Sequence, residues 1–307
     1  MRFLALLLIP IAAADPLPRQ ILPAQAKLQA LPDEDGRKIW DTRFFQIDSD
    51  VELKPNELLR LAQVADTTAL AVKAHPLPLF SPPGGTRPTL SIIADPKDYR
   101  AAGGFSGSAG FYVSHKAAVL IRGDYLVRPQ DPARSRLPPR HDEDLVVHEI
   151  VHLCMHRVNQ RMPQWFLEGT ADYFASAHQG AGRFNFSDMD KSVRDHLRIR
   201  LSPDDPDIPL VPVADLIGLN GRDWLRYIES LPVDERYHAY ATALLLAHYH
   251  FHGGTVRRDA LRKALEAQPR RGRISLLIPT GAATATQDAL LRYWKPRGLS
   301  LKFPVEP

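Results

Sequence analysis

Hydrophobic and polar positions alternate differently in the two halves of this 307-residue chain. Between residues 36 and 140 the apolar runs are short. Residues 40–47, with Trp40, Phe44, Phe45 and Ile47, predict a strand. Residues 57–75 place Leu58, Leu61, Val64, Ala65 and Ala71 at helical spacing behind Pro55 and Asn56. Residues 89–94, 111–114 and 117–122 predict three further strands, the first preceded by the turn-forming stretch 82–85. From residue 142 the period lengthens to that of helices, expected at 142–158, 163–178, 188–199, 213–230, 236–252 and 256–267, with a last one at 287–293. Sheet first and helices afterwards is an α+β order.

Three stretches stand outside these periods. Arg2, the apolar run 3–11 and Ala12-Ala13-Ala14 have the layout of a signal peptide cleaved near Ala14, which predicts export to the periplasm or beyond. The run is far shorter than the ~20 residues that cross a bilayer, so no stable membrane span is expected. Residues 15–35, rich in Pro, Ala and Gln, are expected to form a leader or linker. The Pro- and Arg-rich residues 129–139 form a connector, dividing an N-terminal α/β subdomain, 36–140, from a helical one, 141–300.

Composition narrows the function. The 39 Lys and Arg residues are interspersed with 35 Asp and Glu, and no long basic run supports nucleic-acid binding. The single cysteine, Cys154, excludes an intramolecular disulfide and a Cys-rich structural metal site. No G-x-S-x-G nucleophile motif occurs. The glycine-rich residues 103–110 lack the Lys-Ser/Thr ending and following helix of a P-loop. They suit either a loop feeding an edge strand or the border of a cleft that a substrate backbone approaches.

His148-Glu149-Ile150-Val151-His152 is an H-E-x-x-H arrangement. Four residues apart on a helix, the two imidazoles leave one face a turn apart and can meet one metal ion. Glu149, beside them, can take a proton from a metal-bound water without entering the coordination shell. A third ligand is needed. Glu168 lies in the next predicted helix among Trp165, Phe166 and Leu167, where a carboxylate is costly unless paired or ligating. The short connector 159–162 lets that helix fold back on the first. Asp172, one turn beyond Glu168, is placed to accept the free ring N–H of a ligating histidine, and Gly169 permits close helix approach.

These residues, with Trp165-x-x-Glu168-Gly169-x-Ala171-Asp172-Tyr173-Phe174, resemble the gluzincin branch of zinc metallopeptidases. The likeness is strongest to exported bacterial members of the peptidase-MA type that contain a domain of unknown function. The resemblance implies a zincin-like fold: an N-terminal mixed sheet with a helix, an active-site helix, then a mainly helical subdomain. It further implies Zn2+ held by His148, His152 and Glu168, with Glu149 as general base and Asp172 behind His148. Peptides or proteins are the implied substrates. An oxyanion-stabilising residue is implied on a later helix, with Tyr240 the first choice and Tyr237 the second. His156 and the cluster His248, His250 and His252 compete weakly as ligands. A metal-binding module that holds peptides or envelope components without cleaving them is the rival expectation.

Overall fold

The computed structural model describes residues 17–85, 87–105, 108–126, 140–201, 207–267 and 277–304. The predicted signal peptide, the connector 129–139 and the join near residue 140 lie outside the described residues or at their border.

In chain order the strands are β1 (Gln20–Ile21), β2 (Gln29–Glu34), β3 (Arg37–Asp41), β4 (Gln46–Ser49), β5 (Thr89–Ile93), β6 (Gly110–Val113), β7 (Ala118–Arg122), β8 (Phe184–Asn185), β9 (Asp207–Pro209) and β10 (Ser300–Lys302). The helices are α1 (Pro55–Ala74), α2 (Pro96–Ala101), α3 (Gly123–Leu126), α4 (Arg140–Cys154), α5 (His156–Asn159), α6 (Gln164–Ala177), α7 (Met189–Arg200), α8 (Val213–Leu216), α9 (Gly221–Ser230), α10 (Arg236–His252), α11 (Thr255–Glu266) and α12 (Ala283–Trp294). The main sheet precedes the helical region, as α+β order predicts.

That sheet has six strands in the order β2-β3-β4-β5-β7-β6. Strands β4, β5 and β7 run parallel, while β2, β3 and the opposite edge β6 are antiparallel to their neighbours. Alternation sorts the side chains by face: Ile47, Leu90, Ile92, Val119 and Ile121 join the principal core, and Ile93, Val113 and Leu120 pack on Tyr99 behind it. Helix α1 packs on α4, α4 on α6, and α6 on α10. One continuous core runs from Phe45 to Leu299, so the two predicted subdomains share their interior.

Three expectations need correction. Residues 40–47 are not one strand but the end of β3, a turn and the start of β4. The buried Asp66 of α1 holds that turn, accepting from the Thr42 hydroxyl at 2.8 Å and from the Arg43 and Phe44 amides. Residues 15–35 are not a free leader over their described part. Strand β2 pairs with β3, and β1 pairs with β8 across the helical half. The exposed pattern of β2 suits a sheet edge and gives no hydrophobic period to read. Finally, residues 213–230 break into α8 and α9, because Asn220 caps a new helix by accepting from the Arg222 and Asp223 amides.

Candidate metal centre

Helix α4 crosses behind the edge strand β6 and leans on α6. Every residue from Trp165 to Ala177 of α6 is buried, so Glu168 and Asp172 reach α4 from within the core. Gly169 faces α10, where a Cβ would collide with the Ala243 carbonyl oxygen; the absence of a side chain sets the distance between these helices. At the other end of α6, His178 Nδ1 lies 2.9 Å from Asp144 Oδ1 on α4, a second tie between the two helices.

The predicted ligand set converges. His148 Nε2 lies 3.2 Å from His152 Nε2 and 3.3 Å from Glu168 Oε2, and His152 Nε2 lies 3.7 Å from Glu168 Oε1. Among the described residues this is the one group of three or more His, Cys, Asp or Glu side chains whose ligand atoms gather closely enough to hold a metal ion. Donor atoms on a tetrahedral ion with bonds of ~2.0–2.1 Å stand about 3.3 Å apart, so the spacing fits such an ion. The proton inventory fits as well. Asp172 Oδ1 lies 2.8 Å from His148 Nδ1, placed to accept a hydrogen bond from its N–H, so that the neutral ring would turn its Nε2 lone pair towards the other ligands. Gln164 Nε2 donates to Glu168 Oε1 at 2.6 Å, and Asn159 Nδ2 to the His152 carbonyl at 2.8 Å.

The electrostatics follow from burial beside opposite charge. Desolvation raises the pKa of Glu149, only partly offset by the neighbouring His148 and His152. Burial also penalises ionised Glu168 and Asp172, yet the adjoining histidines outweigh it and hold both below the usual carboxylate range. Desolvation opposes a charge on His148, but its bonds to Asp172 and Glu168 prevail and raise it well above the ordinary imidazole value. Three carboxylates thus surround two histidines, a site suited to a cation.

A cleft of about 610 Å³ opens over this centre, between β6 and a wall made by α9, the start of α10 and the end of α7. The glycine-rich stretch borders it, the second of the two expectations for that segment. A Cβ on Gly110 would lie 2.9 Å from Glu149 Cγ, so this glycine makes room for the carboxylate. The Tyr112 backbone amide favours the ionised form of Glu149, and the Tyr112 ring stacks 6.2 Å from that of His152.

Tyr240 lines the cleft, its ring 6.4 Å from His148, between Trp224 and Tyr237. Tyr237 is already engaged, its hydroxyl donating to Asp172 Oδ2 at 3.1 Å. His156 turns from the ligand group to bond the Tyr112 hydroxyl. His248 and His250 are buried in α10, outside the ligand group. Sequence reasoning missed Tyr112, Gln164 and Arg200, which reach the cleft through tertiary packing. Only Gly110, as part of the glycine-rich stretch, carried a local signal.

No protein-family model matches the chain, and no curated protein matches it.

Proposed function

We propose that this chain is an exported zinc-dependent peptidase of the gluzincin kind, with a zincin-like fold. The observation that carries the reading is the convergence of His148, His152 and Glu168 beneath a cleft that also holds the buried Glu149. The two imidazoles and the carboxylate are a donor set suited to zinc, which when bound supplies a Lewis acid that makes water acidic and polarises a carbonyl.

The chain's own groups supply the rest. The Glu149 carboxylate accepts the proton of the attacking water and returns it to the leaving amine; its raised pKa suits both tasks. Asp172 fixes the orientation and tautomer of His148, with Tyr237 steadying Asp172 from the other side. Tyr240, beside His148, is the group assigned to the developing oxyanion. Strand β6 is a sheet edge lining the cleft, which supports an extended peptide as substrate, added alongside it by backbone pairing.

Elemental analysis of the metal-replete mature chain tests the centre: about one zinc per chain is expected, and most of it lost in Glu168→Ala. No zinc in the unaltered protein sinks the reading. Glu149→Gln separates the enzyme from the rival binding module. The variant is expected to keep zinc and lose about 10²-fold or more in kcat on any peptide the unaltered protein cleaves. Full retention of cleavage refutes the role of Glu149, and zinc without cleavage across a broad peptide library favours the module.

A further inference from the structure

The cleft wall opposite β6 carries two arginines that the hydrolytic chemistry leaves without a task. Arg200 ends α7 and Arg236 begins α10, and both line the cleft. The Arg200 guanidinium sits 5.4 Å from the centroid of the Tyr237 ring. Through the Tyr237 hydroxyl and Asp172 it is connected to His148, which places it beside the reacting centre.

Arg200 Nε is buried and has no hydrogen-bond partner. No carboxylate among the described residues forms an ion pair with either guanidinium, and Arg236 Nε reaches only the Leu231 carbonyl, at 3.4 Å. A buried donor without an acceptor is destabilising, and a guanidinium fork matches the two oxygens of a carboxylate. The cleft's own carboxylates are committed: Glu168 to the histidines, Asp172 to His148 and Tyr237, and Glu149 beneath β6. Asp144, whose charge also reaches Arg200, is bonded to His178.

We infer that Arg200, with Arg236 lining the same cleft, forms a subsite for a carboxylate carried by the substrate, so that the substrate class is acidic or C-terminally free peptides. The inference rests on the metallopeptidase reading. The carboxylate is either the chain terminus or an Asp or Glu side chain, since the guanidinium fork accepts both alike.

The test measures binding rather than turnover, on the zinc-loaded full chain. Three peptidomimetic hydroxamates of equal length serve as probes: one ending in alanine carboxylate, one in alanine carboxamide, and one in aspartate carboxamide. Calorimetry is expected to give at least tenfold tighter binding of one or both carboxylate probes than of alanine carboxamide. The tighter probe identifies the source of the carboxylate. The preference is expected to fall below about twofold in Arg200→Gln and to an intermediate value in Arg200→Lys, which keeps charge and loses the fork. Equal binding of all three probes by the unaltered protein overturns the subsite while leaving the metal centre standing. A preference undiminished in both variants also overturns it. If no hydroxamate binds, the metallopeptidase reading itself fails, and the subsite with it.

Discussion

Two helices of this protein carry histidine pairs at the same spacing, and only one pair makes a site. His148 and His152 on α4, like His248 and His252 on α10, are four residues apart, with ring centroids at 4.9 Å and 4.5 Å respectively. Each pair even has a carboxylate at its first member. Asp172 lies 2.8 Å from His148 Nδ1, whereas Asp190 lies 3.2 Å from His248 Nε2, the nitrogen that must stay free in a ligand of this geometry. The second members differ as well. His152 meets Glu168, but His252 Nε2 bonds the Tyr173 hydroxyl at 2.9 Å. His248 is fully buried against Trp294, while His148 faces a cleft. Helical spacing brings two rings together; the nitrogen left free and the third residue delivered from another helix decide whether they bind anything.

The largest expected difference comes from removing one ring from each pair. His152→Ala should take the zinc content from about one per chain towards zero, by elemental analysis. His248→Ala should leave zinc in place and instead cost about 2 kcal/mol or more of stability in urea unfolding, since a fully buried ring is lost. Loss of zinc in both variants would erase the distinction.

The contrast also shows what the sequence made legible. The pattern from His148 to Asp172 carries its own geometry, because two helices and a short connector confine four side chains to one face each. The order of sheet and helices was legible for the same local reason. The β3–β4 turn was not, because the Asp66 that holds it arrives from α1, and the only local sign is Thr42, whose hydroxyl accepts from the Phe44 and Phe45 amides. Nor was the pairing of β1 with β8, whose strands of two residues show no period. Tyr240 stood out only through resemblance, and Arg200 not at all: each reaches the cleft from a helix end whose position depends on how α7 and α10 pack.

A smaller effect is expected from the carboxylates behind the histidines. Asp172→Asn keeps the shape but weakens the acceptor that orients His148, and zinc affinity measured by chelator competition should fall about 10–100-fold. Asp190→Asn should leave that affinity within about twofold. A null effect of Asp172→Asn would mean that α4 and α6 alone orient the ring; an equal effect of Asp190→Asn would make its cause global.

The smallest difference concerns protons. The α10 core keeps its histidines neutral: burial, and then the charge of Arg257, lowers His250 from 6.5 to about 4, and burial also lowers His248. The unfolded chain therefore binds more protons than the folded one between pH 6.5 and about 4. The stability contributed by neutral His250 is complete above this window and is lost as pH falls through it. Between pH 7 and pH 6 the loss from His250 amounts to ~0.7 kcal/mol. His148 has the opposite sign in the metal-free protein, because its folded pKa is raised; its contribution is present below the ordinary imidazole value and declines as pH rises. Zinc holds His148 deprotonated at Nε2 in the folded protein while the unfolded chain still protonates it, so in the saturated protein His148 takes the same sign as His250 and the loss of stability towards pH 6 steepens. Urea midpoints at pH 7 and pH 6, at constant ionic strength with zinc saturating, measure it. His250→Phe, which keeps a ring against Trp165 5.5 Å away, should make the dependence shallower by that ~0.7 kcal/mol. An unchanged slope in that variant would move the titration elsewhere and leave α10 as ordinary apolar packing.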